Sequence, residues 1–186
     1  MLIRSADNGP LVDVALKSDI VQTYWPTEIP SLDIAGHSVL AVVPTFGIES
    51  TNSVTLTVAD GLVVMQEFVT VPGQPNLDVW AGILLLNTWS SCDVAGVSSL
   101  HYEFVAYHKD GTTTVLTSFD GPTINSPDLA TLQADFIPVP ILSALPLDPS
   151  DRLMFHVFAQ TTSVVPVTVH WVHNGIAHGS YTVHVP

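Results

Sequence analysis

Two groups of side chains in this sequence have the types and spacing that chemistry needs. The first is Asp148, Asp151 and Arg152, within "LPLDPSDRLMFHVFAQTTSVVPVTVHW" (145–171). Paired carboxylates beside a guanidinium could serve general acid–base catalysis. The same residues also read as a turn, Pro149-Ser150-Asp151, leading into a strand that starts at Arg152. Alternation puts Leu153, Phe155, Val157 and Ala159 on one face of that strand. Arg152, Met154, His156, Phe158 and Gln160 share the other. Arg152 is then expected at a strand end on the more polar side, paired with a carboxylate of its own or the next loop. An exposed pair of that kind contributes about 0–1 kcal/mol. The structural role is the expected one, and no catalytic residue is assigned.

The second group is the histidines, eight in 186 residues. His170, His173, His178 and His184 crowd the last strands. If "VHNGIAHG" (172–179) folds back as a hairpin, His170 faces His184 across the ladder, opposite Trp171, Val183 and Val185. With His156 from a neighbouring strand, these imidazoles form a candidate zinc set. The competing reading is a polar face that uses histidine in place of scarce Lys and Arg. No CxxC or HExxH spacing accompanies them, so the expectation is no metal and no cofactor, with His156, His170 and His184 as the positions to inspect. A pH-sensitive contact also stays open, because imidazole titrates near pH ~6.5. Cys92, the single cysteine, lies in "NTWSSCDVAG" near His101. A nucleophilic thiol needs an adjacent base; an inert thiol is expected.

The elements that must position these residues read as strands. Runs of Val, Thr, Leu, Phe and Tyr separated by Gly, Pro, Asn and Asp fall near 54–58, 62–71, 79–89, 99–109, 112–119, 134–142, 152–161, 165–173 and 180–185. Fainter strands fall near 11–16 and 38–43. No window keeps a helical period, and 14 prolines oppose long helices. In "LHYEFVAYHK", Leu100, Tyr102, Phe104 and Ala106 share one face, while His101 and Glu103 take the other. Asp110-Gly111, Asn174-Gly175 and "VADGL" (58–62) mark turns, the first two as hairpins. The expected fold is all-β, an antiparallel β-sandwich of jelly-roll-like character over 51–186. Residues 1–50, with "TYWPTEIPSLD" (23–33), are expected to be an irregular N-terminal arm or extra edge strands.

Composition narrows the partners. The net charge is −13, from 4 Lys/Arg against 17 Asp/Glu. Phosphate backbones are bound through Lys and Arg, so nucleic acid and anionic membrane surfaces are excluded as partners. Apolar residues reach 47% and charged residues only 11%, against about 25% charged in ordinary soluble domains. The mean hydropathy is +0.41. The longest apolar stretch, "VWAGILLL" (79–86), is strand-sized and too short to span a bilayer. The apolar excess is therefore expected in a two-sided core and in contacts with other chains. "MLIRSADNGP" lacks the apolar region of a signal peptide, and synthesis in a cytoplasm is expected. Trp80 and Trp171 fall on core-facing positions. Trp25, between Tyr24 and Pro26, is the expected anchor on another chain.

From residue 66 onward the order of features resembles a β-sandwich module of virion proteins in tailed bacteriophages. The matching pieces are "QEFVTVPGQPNLDVWAGILLLNTW", "LHYEFVAYHKDGTTTVLTSF", "LDPSDRLMFHVFAQTT" and "VTVHWVHNGIAHGSYTVHVP", about two thirds of the chain. The resemblance implies a structural or adhesive role without catalytic residues. On that basis the expected function is a virion structural protein of the capsid decoration (cement) type, homo-oligomeric and bound to the major capsid or other virion proteins. A tail-fibre module that stacks its tryptophans on host glycans is the alternative. A cupin-like metal-dependent enzyme on the histidine-bearing strands is a further rival.

Overall fold

The computed structural model describes residues 21–43, 47–74, 81–142, 144 and 147–185. The expected strand at 11–16 and Trp80 lie outside them. Eleven strands form in chain order: β1 (Gln22–Pro30), β2 (Ser38–Ala41), β3 (Ser50–Leu56), β4 (Val63–Val69), β5 (Gly82–Cys92), β6 (Ser98–Tyr107), β7 (Thr113–Thr123), β8 (Gln133–Ile141), β9 (Arg152–Thr161), β10 (Val167–His173) and β11 (Tyr181–Val185). The fold is all-β. Among the described residues no helix is long and apolar enough to cross a membrane.

The strands hydrogen-bond along the path β3-β10-β5-β11-β1-β2-β4-β9-β6-β7, with β8 on the other edge of β5. The ladder doubles over at β1. Gln22–Tyr24 pair with β11, and Trp25–Pro30 pair with β2. We call β3, β10, β5, β11 and β8 sheet A, and β2, β4, β9, β6 and β7 sheet B. Their inner faces meet in one core, which gives the sandwich-like form. The strand pairs are antiparallel, as expected, except for β2–β4, which is parallel and makes the sheet mixed. Residues 22–30, expected as arm or extra edge strands, form β1, whose first residues pair with β11 and whose later ones pair with β2.

The core follows from the alternation. Leu100, Tyr102 and Phe104 of β6, Leu153, Phe155 and Val157 of β9, and Val167, Val169 and Trp171 of β10 are all buried. Phe155 sits at the centre, with ring centroids 4.6 Å from Phe104 and 6.5 Å from Trp171. Large aromatics dominate burial energetics because of their area. One buried hydroxyl ties the two sheets. Thr88 Oγ1 on β5 accepts hydrogen bonds from Trp171 Nε1 (2.9 Å) and from the Tyr102 hydroxyl (3.0 Å).

The Asp110-Gly111 hairpin forms as the sequence predicts: β6 pairs with β7, and Gly111 takes φ +85°. The 172–179 hairpin does not form. Asn174 does turn, at φ +61°, but β10 and β11 pair end to end along one edge of β5 instead of with each other. Both are antiparallel to β5 and run in the same direction, so the stretch between them is an excursion between collinear strands and not a reversal.

Candidate functional site

Arg152 opens β9 but is 5% exposed, not at the polar surface the sequence suggests. Its Nε donates to the Thr70 carbonyl at 2.6 Å, and its Nη1 meets Asp33 Oδ2 at 2.5 Å. Asp33 lies in the loop between β1 and β2. Its carboxyl is held below the usual range, first by the Ser31 hydroxyl and then by Arg152. Asp151 is buried and works elsewhere. It accepts from His108 Nδ1 (2.9 Å) and from the Lys109 and Asp148 backbone N–H groups. Burial pushes its pKa up, but these hydrogen bonds together hold it down. Asp148 pairs with Lys109 at 3.3 Å. Asp151 thus bonds His108 and backbone N–H groups, Asp148 bonds the Lys109 ammonium, and Arg152 pairs with Asp33.

The histidine prediction is partly redrawn. His184 sits opposite Leu84 and His170 opposite Ser91 on β5. Those positions are about 23 Å apart along an extended strand. His184 faces the core, whereas His170 faces outward and bonds Ser53 Oγ at 2.7 Å. They cannot share an ion with His156. His173 is buried against Trp171, rings stacked at 4.5 Å, with Nε2 2.6 Å from Glu28 Oε1. Burial lowers its pKa despite Glu28.

His156 has different company, on the outer face of sheet B. Register places Glu67 of β4 beside His156 of β9, which lies beside Glu103 of β6, which lies beside Ser118 of β7. The loop between β1 and β2 extends this row. Its Ile34 packs on Val69, Val105 and Met154, and its His37 reaches Glu67. His37 Nε2 is 4.0 Å from Glu67 Oε2, and His156 Nδ1 is 3.8 Å from Glu103 Oε2. One donor atom from each of His37, Glu67 and His156 lies within 4.8 Å of the others. Burial lowers the His156 pKa, with Glu67 and Glu103 opposing and His37 assisting. Beyond Glu103 the row ends in His101, whose Nδ1 donates to Asp120 Oδ1 at 2.7 Å while its Nε2 accepts from the Ser118 hydroxyl. Glu67 interrupts the apolar strand "VVMQEFV", a signal the sequence offers. His37, in a polar loop, offers none.

The outer face of sheet A is the second candidate. Odd-numbered β5 residues point outward: Ile83, Leu85, Asn87 and Trp89. Register sets beside them Pro140, Pro138, Phe136 and Ala134 of β8, and Val185, Val183 and Tyr181 of β11. Trp25 of β1 continues the surface, its ring centroid 4.9 Å from that of Tyr181. Phe136 is 62% exposed and Ile83 46%. No ionisable carboxylate or ammonium lies among these positions. Of the expected interface residues, Trp25 is half-buried on this surface. Tyr24 (1% exposed) and Pro26 point into the protein, because successive side chains of a strand alternate. Cys92 ends β5, buried. Its thiol donates to the Val94 carbonyl at 3.0 Å, and burial pushes its pKa up.

No family model matches the chain, and no curated protein does. Solved structures do. The chain is similar to an aminopeptidase from the marine sediment archaeon Thaumarchaeota archaeon, with TM-score 0.62 and 12% identity over 89% of this chain and 36% of that one. It is also similar to an α-amino acid ester hydrolase (TM-score 0.57, 13% identity, 88% of this chain and 36% of that one). A CocE/NonD family hydrolase from Staphylococcus aureus matches with TM-score 0.55 and 9% identity, over 89% of this chain and 36% of that one. The chain therefore spans about a third of the length of these structures. At such identities the likeness shows the fold alone.

Proposed function

We propose that this chain is a non-enzymatic structural protein that works by packing against copies of itself, in a virion decoration layer. The outer face of sheet A carries this reading. It is largely apolar across β8, β5, β11 and β1, interrupted by Asn87 and bordered at Trp89 by the His178–Glu49 pair. On a chain of net charge −13, such a face is where two copies meet without like-charge repulsion. Exposed apolar surface on this scale marks an interaction site. The virion setting is supported by the sequence resemblance described above. The test is light scattering of the purified chain beside the variant I83D/F136D. An oligomer in the first and a monomer in the second is expected. A monomeric wild type, or an oligomer indifferent to both substitutions, overturns the contact. Imaging of the protein on a particle, on the shell or away from it, tests the setting.

A second reading is a β-module working beside a hydrolase catalytic domain. It is favoured by the match of nearly the whole chain to about a third of three hydrolases. Recovery of the native complex distinguishes the two. A partner bearing a hydrolase catalytic domain supports the second reading, and shell proteins refute it.

A further inference from the structure

We propose that His37, Glu67 and His156 form a binding site for a divalent transition metal of the zinc class, on the outer face of sheet B. Their donor atoms lie within 4.8 Å of one another. The spacings are telling. His37 to Glu67 at 4.0 Å and His156 to Glu103 at 3.8 Å are longer than hydrogen bonds. The groups converge without closing on each other. Tetrahedral zinc, with ligands about 2.0–2.1 Å away, holds its donors about 3.3 Å apart. Closing from the present spacing needs shifts of about 1 Å, within the freedom of Glu67, whose side chain is 32% exposed.

Tautomers follow from the neighbours. His37 Nδ1 donates to the Ala35 carbonyl at 3.3 Å. That leaves its Nε2 lone pair toward Glu67. His156 Nδ1 faces the Glu103 carboxylate, and its Nε2 is buried with no hydrogen-bond partner among the described residues. A carboxylate behind a ligating imidazole is the arrangement that fixes ring orientation and raises ligand basicity. Glu103 is thus a positioning residue. Two imidazoles and one carboxylate suit zinc, nickel or copper; calcium and magnesium take mostly oxygen. Three protein ligands leave one position of a tetrahedral ion for an outside donor.

The loop that carries His37 is held independently of any ion, by Ile34 on its apolar patch and by Asp33 on Arg152. The site is therefore built before the ion arrives. The test uses the full chain without an affinity tag, stripped with chelator and titrated with Co²⁺ and Zn²⁺. Calorimetry should give one ion per chain, and Co²⁺ should develop the visible bands of a low-coordinate nitrogen–oxygen site. H37A, on the loop, should keep the fold and bind at least about tenfold more weakly. E103Q should weaken binding less than H37A does, and H170A should leave it unchanged. Absence of saturable binding overturns the site, and so does binding that H37A and E67Q both leave intact.

Discussion

Arg152→Ala should be among the costliest single substitutions at a charged residue in this chain. The guanidinium is 5% exposed and donates to the carbonyl of Thr70, itself fully buried. Truncation leaves that carbonyl without its donor in a space water does not reach, which costs about 1–3 kcal/mol. The Asp33 contact is worth less. Asp33 is 47% exposed at its side chain, so solvent returns much of what the pair gives, and about 0–1 kcal/mol is a fair discount. Lost packing of the arginine stem adds to the total. The sum is about 2–4 kcal/mol for R152A. D33A should cost about 1 kcal/mol or less, since the Thr70 bond survives it. Urea unfolding of the three proteins, followed by tryptophan fluorescence, reads both values. Equal losses in R152A and D33A would refute the reasoning, because the ion pair would then carry the energy. A loss below about 1 kcal/mol in R152A would refute the burial argument.

Stability should fall in two stages as pH is lowered. His156 and His173 have pKa values lowered by burial. The folded state resists protons that the unfolded chain accepts, so stability is lost as pH falls below about 6.5 toward the folded values. Glu67 and Glu103 oppose the shift at His156, and Glu28 opposes it at His173. The second stage comes below pH ~4, where Asp33, Asp60, Asp110, Asp128 and Asp151 lose hydrogen bonds that hold their carboxyls low. Urea midpoints between pH 8 and 3 check the profile, and H156Q should flatten part of the first stage. T88V should cost about 2–4 kcal/mol, because it strands the Trp171 and Tyr102 donors together, whereas T88S should retain most of the stability. G179A should destabilise the turn before β11, because an added Cβ runs into the Gly175 carbonyl oxygen. A melting-temperature drop of a few degrees is the expected reading.

How far the sequence leads depends on the range of the information. Alternation is local, and it placed Leu153, Phe155 and Val157 inward and His156 outward correctly. The run "GILLL" is apolar at every position. That is the mark of a strand covered on both faces, and it points to the outward Ile83 and Leu85 as well as to the core. Pairing is not local. That β5 lies against both β10 and β11 depends on contacts across about 80–100 residues, and no turn signal encodes them. The same limit hid the environment of His156. Its neighbours Glu67 and Glu103 come from strands far away in sequence, and His37 comes from a loop with no periodicity at all. His37, His101, His108, His156, His173 and His178 each lie against a carboxylate.

The doubling of the ladder at β1 bears on how the chain acquires its form. Thr23 pairs with Val183, and Trp25 pairs with Ala41 a few residues later in the same strand. One strand therefore joins a contact with the strand that follows it to one that must wait for β11 to emerge. Loop closure of that length precedes any reward from the pairing, which slows such folds to milliseconds or longer. Until β11 arrives, the first half of β1 presents unpaired backbone amides and carbonyls. A nascent chain in that interval is open to capture by the same strand edge of a neighbour. The order in which the strands become available therefore bears on folding yield as well as final stability.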